Sequence, residues 1–314
     1  MHLLTENFAG FLKRINPSPT YERNASSAYN NIKQILERDE GMKELGPHIF
    51  LQGSYKRDTA IYTINDVDVV VLCTKLHYPP AGVGGRSHSR DEIFRIVAGA
   101  IRSNDSYRDK VEYGPQSKCI KVSTSVQLDV LPVVYSKGHF DVQYEPVVMY
   151  QPKYGKWMET YARYHQNYCS IRNIGSNGNF IPVIKVLKHL RDNTQGLSSS
   201  IAPSFYIECL LYNIDNEKYK DSITVAIAST LVNIAVDYSP DSVYVSGLKS
   251  LCGDRQIFSS FEWPKENYIL FHKQAIQWAQ LAIEALKEAD KEQAITKWKR
   301  LFGDDYFPRT VGNT

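Results

Sequence analysis

Gly53-Ser54-Tyr55-Lys56-Arg57-Asp58-Thr59-Ala60-Ile61 and, after Asn65, Asp66-Val67-Asp68-Val69-Val70-Val71-Leu72 hold two devices in close succession. The Gly53-Ser54 turn is small enough to bring backbone N–H groups against a phosphate at a helix start. Eleven residues then pass, Tyr55 to Asn65, before a pair of acids opens a run of β-formers. Side chains at i and i+2 of a strand point to one face, so Asp66 and Asp68 stand side by side. Two hard oxygen ligands so placed suit Mg²⁺, which is held by one or two carboxylates together with waters and substrate phosphates. The apolar run after Asp68 makes the strand central, and an unpaired carboxylate at its start would be costly to bury without a cation. An EF-hand is not expected, because the spacing lacks its sixth-position Gly and twelfth-position Glu.

A third carboxylate lies in Val126-Gln127-Leu128-Asp129-Val130-Leu131-Pro132-Val133-Val134, the one acid in an otherwise apolar strand. Three carboxylates suit two Mg²⁺ ions about 3.5–4 Å apart, one activating an attacking hydroxyl and the other holding a triphosphate and its leaving pyrophosphate. The residues therefore point to a metal-dependent nucleotidyltransferase. A glycosyltransferase with its own Asp-x-Asp would have no need of Gly53-Ser54 upstream.

The chain has 314 residues, 43% of them hydrophobic and 23% charged, as in globular proteins of one or two domains. No stretch approaches the roughly 18 apolar residues that span a bilayer. The N-terminal residues lack the pattern of a signal peptide, so a cytoplasmic location is expected. Cys73, Cys119, Cys169, Cys209 and Cys252 are widely scattered and read as buried free thiols. A net charge of +3 is too small for a nucleic-acid-binding surface.

Helical spacing is expected over residues 3–15 and 21–38, the second capped near Ser18-Pro19. A strand at 48–52 feeds Gly53-Ser54, a brief helix covers 55–60, and strands follow at 67–73, 111–113, 118–122 and 126–134, with a helix at 91–102. The Gly- and Pro-rich stretch 77–86 reads as a loop. A composition break falls at 146–154. From Trp157 onward helices are expected over 157–171, 180–192, 204–214, 222–236 and 264–301, with a flexible tail at 307–314. The architecture is thus α+β, with residues 1–155 forming a mixed-sheet lobe with its N-terminal helices and residues 156–314 a helical second lobe. The active site is expected in the cleft between them.

Two features of the helical half bear on chemistry. Lys185 and Lys188 are three apart on one helix, as phosphate contacts or as ordinary solvated lysines. Pro203-Ser204 opens a helix whose N-terminus can receive an anion. Phe205 or Tyr206 could stack on a base or pack in the core. Asn173, Asn177 and Asn179 are either base-reading or loop residues.

Taken together, Phe50 to Ile61, Asp66 to Val71, Leu128-Asp129-Val130, Val186 to Leu190 and Pro203 to Glu208 resemble the bacterial CD-NTases of CBASS antiphage signalling. These belong with cyclic GMP-AMP synthase and oligoadenylate synthase to the polymerase-β-like nucleotidyltransferases. The resemblance implies that Asp66, Asp68 and Asp129 hold two Mg²⁺, with Mn²⁺ able to substitute. It implies that Gln52, Gly53 and Ser54 cradle the triphosphate, with Lys188 and Ser204 contacting it from the other lobe and Phe205 stacking on the base. It further implies NTP substrates condensed into a cyclic di- or trinucleotide second messenger for antiviral defence, with pyrophosphate released. A downstream effector protein activated by that messenger and regulatory partner proteins follow from the same resemblance. No His and Cys group like the zinc insertion of the animal DNA sensor is present, so activation by long duplex DNA is not expected. Nucleotide addition to RNA or a small molecule, and a catalytically silent NTP-binding module, are the alternatives.

Overall fold

A computed structural model describes residues 2–78, 81–82, 88–136 and 146–309. The chain folds as two compact units. One comprises residues 17–57 and 63–166, the other residues 1–16, 58–62 and 167–314. The expected boundary at 155/156 is therefore replaced by a division in which the chain passes between the units four times, after residues 16, 57, 62 and 166.

Helix α1 (Thr5–Ile15) belongs to the helical unit and is taken up with it. The sheet unit begins with α2 (Pro19–Arg38), whose Ser18 side chain accepts from the Tyr21 N–H in a standard N-cap. Then come α3 (Glu40–Lys43), β1 (Pro47–Leu51), α4 (Gly53–Lys56) and β2 (Asp66–Tyr78). β3 (Ala81–Gly82), α5 (Arg90–Arg102), β4 (Val111–Glu112), β5 (Ile120–Ser123), β6 (Gln127–Ser136), β7 (Val147–Gln151) and β8 (Lys156–Thr160) complete it. The strands form one mixed sheet along the path β1-β2-β6-β5-β4, with β7 on β6 and β8 on β7. β2 and β6 run parallel, and the other pairs are antiparallel.

Alternation along the two central strands divides their side chains cleanly. Val67, Val69, Val71, Leu128, Val130 and Val134 pack in one core with Ala28, Ile32 and Leu36 of α2 and Phe94, Val97 and Ile101 of α5. Val70, Leu72, Leu131, Val133 and Tyr135 form a second apolar cluster on the opposite face. Asp66, Asp68 and Asp129 share the parity of this second face. Pro132 would be out of place in the middle of a fully paired strand. Here β6 pairs with β5 only as far as Val130 and with β7 only from Val133, so Pro132 falls in the gap between neighbours.

Several expectations change in this unit. β2 runs on to Tyr78, with a register irregularity between Cys73 and His77, and Ala81–Gly82 pair back onto it. Residues 77–78 and 81–82 of the expected loop are therefore strand, while 79–80 and 83–86 lie outside the described residues. The composition break holds strand β7, and Trp157 lies on β8 instead of opening a helix. Lys156-Trp157-Met158-Glu159 does not alternate, so this strand is set by its antiparallel pairing with β7 and not by a local period.

The helical unit contains α1 and then α6 (Ala162–Gly175), most of which it includes, α7 (Phe180–Asp192), α8 (Ser204–Asn213), α9 (Ile223–Asp237) and α10 (Pro240–Ser246). α11 (Lys265–Lys287) and α12 (Lys291–Phe302) replace the single long helix expected at 264–301, broken at Glu288 to Asp290, where Asp290 caps α12. α1 sits here because its apolar face has its partners here. Phe8 and Phe11, both fully buried, pack their rings against Trp298, Phe302 and Phe307. Burial of each Phe is worth roughly 2–3 kcal/mol. Phe307 is itself fully buried, and the Pro308 carbonyl accepts from Asn7. Phe307 and Pro308 are thus core, not tail, Arg309 is exposed, and 310–314 lie outside the described residues. Phe307→Ala should cost about 3–5 kcal/mol, read as a lowered Tm by differential scanning calorimetry. Among the described residues no single helix is long and apolar enough to cross a membrane.

Candidate active site

The acids come together because of strand register. Asp68 lies directly beside Asp129 in the parallel β2–β6 ladder, and Asp66 is two residues back on the same face. Burial raises the Asp66 carboxyl above its usual range, and the Asp129 charge adds to this. Asp68 is pushed up to about 6, first by burial and then by Asp66, with Lys118 and Arg57 opposing. Asp129 Oδ1 is buried and has no hydrogen-bond partner. Burial and the facing Asp129 carboxylate also push the Cys119 thiol up to about 12. Burial with Asp66 nearby does the same to the Tyr21 phenol, whose O–H donates to the Asp66 carbonyl at 3.4 Å.

Two carboxyls raised by burial and by their acidic neighbours, beside a third with an orphaned oxygen, are a poor arrangement for protons alone and a good one for a divalent cation. The all-oxygen donor set selects a hard ion. The residues therefore fit a metal centre.

The glycine turn is built onto this centre. The Gln52 N–H donates to the Asp68 carbonyl at 3.1 Å, so the end of β1 is pinned to the strand that carries the acids. Gly53 follows with φ +76°, and a Cβ there would lie 1.9 Å from Asp68 Oδ2. Only glycine permits so close an approach. α4 starts at Gly53 and ends at Lys56, shorter and earlier than expected, because Asp58 takes a left-handed conformation at φ 57° and stops it. Gln52, Gly53, Ser54 and the three acids thus gather in one unit.

The residues expected from the helical half sit within their own unit. Lys188 is 2% exposed, and its Nζ donates to Glu208 Oε1 at 2.7 Å, to the Thr59 carbonyl at 2.9 Å and to Thr59 Oγ1 at 3.2 Å. Glu208 is fully buried. Removing one partner of such a pair typically costs about 3–5 kcal/mol. Lys185 donates to Asp58 Oδ1 at 2.7 Å and Asn16 Oδ1 at 3.0 Å. Ser204 opens α8, and its Oγ accepts from Arg191 Nη1 at 3.0 Å.

The two aromatics divide their roles. Tyr206 donates to Glu262 and stacks on Trp263 with ring centroids 6.0 Å apart, which makes it a core residue. Phe205 is only partly buried, and the Arg255 guanidinium lies 5.7 Å from its ring centroid. Asn177 and Asn179 donate to the backbone carbonyls of Lys220, Tyr219 and Asp221, and Asn173 Oδ1 accepts from the Ile181 N–H. Asn177 and Asn179 are thus loop residues, and Asn173 lies in the last turn of α6. The sequence reading assigns Glu208 no chemical role, although an acid inside the run Ile207 to Leu211 carried the same signal as Asp68 did. A buried charge needs a partner.

The parallel acid-bearing strands, the glycine turn on Asp68 and the helical unit define a nucleotidyltransferase of the polymerase-β type. Residues 1–173 match the family described as the Second Messenger Oligonucleotide or Dinucleotide Synthetase domain, and residues 167–280 match the cGAS/DncV-like nucleotidyltransferase C-terminal helical domain. The chain belongs to this family, the bacterial CD-NTases.

Among its relatives, the "Cyclic UMP-AMP synthase" of Rhodothermus marinus is 28% identical over 214 residues, 62% of this chain and 72% of that protein. The "Cyclic AMP-AMP-AMP synthase" of Acinetobacter sp. is 25% identical over 322 residues, 98% of this chain and 86% of that protein. The solved structure of the Rhodothermus marinus CdnE c-UMP-AMP synthase with Apcpp and Upnpp superposes with a TM-score of 0.69 at 21% identity, covering 91% of this chain and 98% of that one.

Proposed function

We propose that the protein condenses nucleoside triphosphates into a cyclic di- or trinucleotide, releasing pyrophosphate, as an antiphage second-messenger synthase. The observation that carries this reading is the placement of Gly53 on the Asp68 carboxylate. It brings a phosphate-cradling turn to the acids that would hold the metal. Asp66, Asp68 and Asp129 would hold two Mg²⁺, which Mn²⁺ could replace. Bound there, the metal supplies Lewis-acid stabilisation of the phosphoryl charge and activation of the attacking hydroxyl.

The chain's own residues do the rest. Gln52 fixes the turn to β2, and the N–H groups at Gly53 and Ser54 receive the triphosphate oxygens. Phe205 offers a ring for the base, and Arg255 beside it adds a cation to that surface. Ser204 and Lys188 support this wall from within, since each is already bonded to Arg191 or Glu208. The product would act on a downstream effector protein, and partner proteins would regulate the synthase.

Incubation with the four labelled NTPs and Mg²⁺, followed by phosphatase and mass spectrometry, tests the reading. A phosphatase-resistant cyclic product is expected. A linear tail on added RNA, or metal-dependent NTP binding with no pyrophosphate release, would replace it. Phe205→Ala should raise KM by roughly 10–100-fold, the worth of one base stack, while Phe205→Tyr keeps it near wild type. Steady-state kinetics with each NTP measures both.

A further inference from the structure

We infer that Arg255 and Glu262 select the base that stacks on Phe205. They favour a carbonyl beside a ring N–H, the edge of guanine or uracil, over the edge of adenine or cytosine. The inference rests on Phe205 being the base platform, and the residues it uses all lie in the helical unit. Aromatic packing brings Phe205 and Arg255 together. Tyr206, next to Phe205 on α8, stacks on Trp263, and Trp263 stacks on Phe258 with ring centroids 5.4 Å apart. The Trp263 backbone N–H donates to the Ile257 carbonyl at 3.0 Å, and its indole N–H donates to the Ile201 carbonyl at 2.9 Å. Residues 248–257 close a tight loop, in which the Ile257 N–H donates to the Leu248 carbonyl and the Ser250 N–H to the Arg255 carbonyl, both at 2.9 Å. Arg255 is thus carried on backbone braced against the start of α8. Such a preset geometry favours selective binding, because little ordering remains to be done when the ligand arrives.

The donors of Arg255 are poorly used by the protein itself. Its Nε is buried and has no hydrogen-bond partner. Asp254 Oδ2 stands 3.4 Å from Nε and Glu262 Oε1 stands 3.8 Å from Nη1, both beyond good hydrogen-bond lengths. Asp254 already accepts from Ser250 Oγ and Cys252 Sγ, and Glu262 Oε2 accepts from the Tyr206 phenol. The two acids balance the guanidinium charge without saturating its fork of N–H groups. The guanidinium lies 5.7 Å from the Phe205 ring centroid, against about 3.5–4 Å for atoms in contact, so it is near the ring without stacking on it. A base on Phe205 would meet donors at Arg255 and an acceptor, Oε1, at Glu262. Guanine offers O6 beside N1–H and uracil offers O4 beside N3–H, an order that pairs with both. Adenine and cytosine present an amino group beside a ring acceptor, which sets N–H against N–H and leaves polar groups unpaired.

The test measures equilibrium binding of the α,β-methylene analogues of GTP, UTP, ATP and CTP, with Mg²⁺, to the full chain and to Phe205→Ala, Arg255→Gln and Arg255→Lys. The comparison is made on the binding that Phe205→Ala weakens. There the guanine and uracil analogues should bind roughly 10–100-fold more tightly than the other two in the wild type. Arg255→Gln should bring all four to within about threefold of one another, by weakening guanine and uracil. Arg255→Lys keeps the charge but not the fork, and should lose most of the preference as well. The guanine and uracil arms tell a purine site from a pyrimidine one. The inference is overturned if the adenine or cytosine analogue binds best. It is equally overturned if the Arg255 variants shift all four alike, the mark of a phosphate contact or of a structural residue. Should Phe205→Ala bind every analogue as wild type does, the platform fails and the inference with it, and if none binds to the wild type the nucleotide reading itself fails.

Discussion

Asp68→Asn should extinguish turnover while making the metal-free protein more stable. The loss follows from position. Asp68 lies between Asp66 on its own strand and Asp129 on the next, and its Oδ2 also meets the phosphate turn. A metal centre supplies several kcal/mol of charge stabilisation in the transition state, so a fall of roughly a thousandfold or more in kcat is expected. Pyrophosphate release assayed across a Mg²⁺ and Mn²⁺ series measures it.

The gain in stability follows from the raised carboxyl. Burial and Asp66 lift Asp68 to about 6 in the folded protein, against roughly 4 when unfolded. A group raised on folding contributes stability that is full below the unfolded value and is lost as pH rises through the folded one. Removing the charge should therefore raise the metal-free Tm at pH 8, by at most about 3 kcal/mol in stability, and leave it little changed at pH 4. Metal reverses the order in the wild type. Because protons compete with the ion, the metal concentration needed for half-maximal rate should climb as pH falls below about 6. A Tm for Asp68→Asn below wild type at pH 8 without metal would show that Asp68 is a paired structural acid.

Gly53→Ala should be the second most damaging change, by a different route. Backbone at φ +76° already disfavours a side chain, and the added Cβ would sit 1.9 Å from Asp68 Oδ2 and 2.9 Å from its Cγ. Either the turn or the carboxylate must move, and the proposed reaction uses both. A drop in kcat/KM of roughly 10²-fold or more is expected, with circular dichroism unchanged. Gly155 is a fair control, since it has φ +61° and nothing within 4 Å of its would-be Cβ. Gly155→Ala carries comparable backbone strain and should leave turnover near wild type. Equal losses in the two variants would mean that strain, not contact with Asp68, is responsible.

The acids and the glycine turn were legible in the sequence because each breaks a local rule. An acid at the head of Val69-Val70-Val71-Leu72, or inside Leu128 to Val134, is a buried charge that requires a partner, and small residues at a strand end require a turn. Helices α2, α5, α7, α8 and α9 were legible through caps and apolar spacing. What did not show was anything settled by distant pairing. β8 was hidden because Trp157 and Met158 are adjacent and give no strand alternation, so only the pairing with β7 makes it a strand. The destination of α1 was hidden because Phe8 and Phe11 reveal an apolar face without saying what covers it, and their cover is Trp298, Phe302 and Phe307. The ion pair of Lys188 was hidden because its partner Glu208 lies twenty residues on, in the next helix. The close approach of Gly53 to Asp68 was likewise beyond reach, since it depends on how β1 registers with β2.

The four passages of the chain between its units bear on how such a protein can be taken apart or recombined. A single cut yields no intact half, because the first sixteen residues and residues 58–62 travel with the helices while everything around them travels with the sheet. A recombination event with one crossover near residue 155 would set Phe8 and Phe11 against another parent's residues in place of Trp298, Phe302 and Phe307. Exchange of the helical body between relatives would instead need matching changes in three separate stretches of the gene. A chimaera that respects the units therefore takes residues 1–16, 58–62 and 167–314 from one parent.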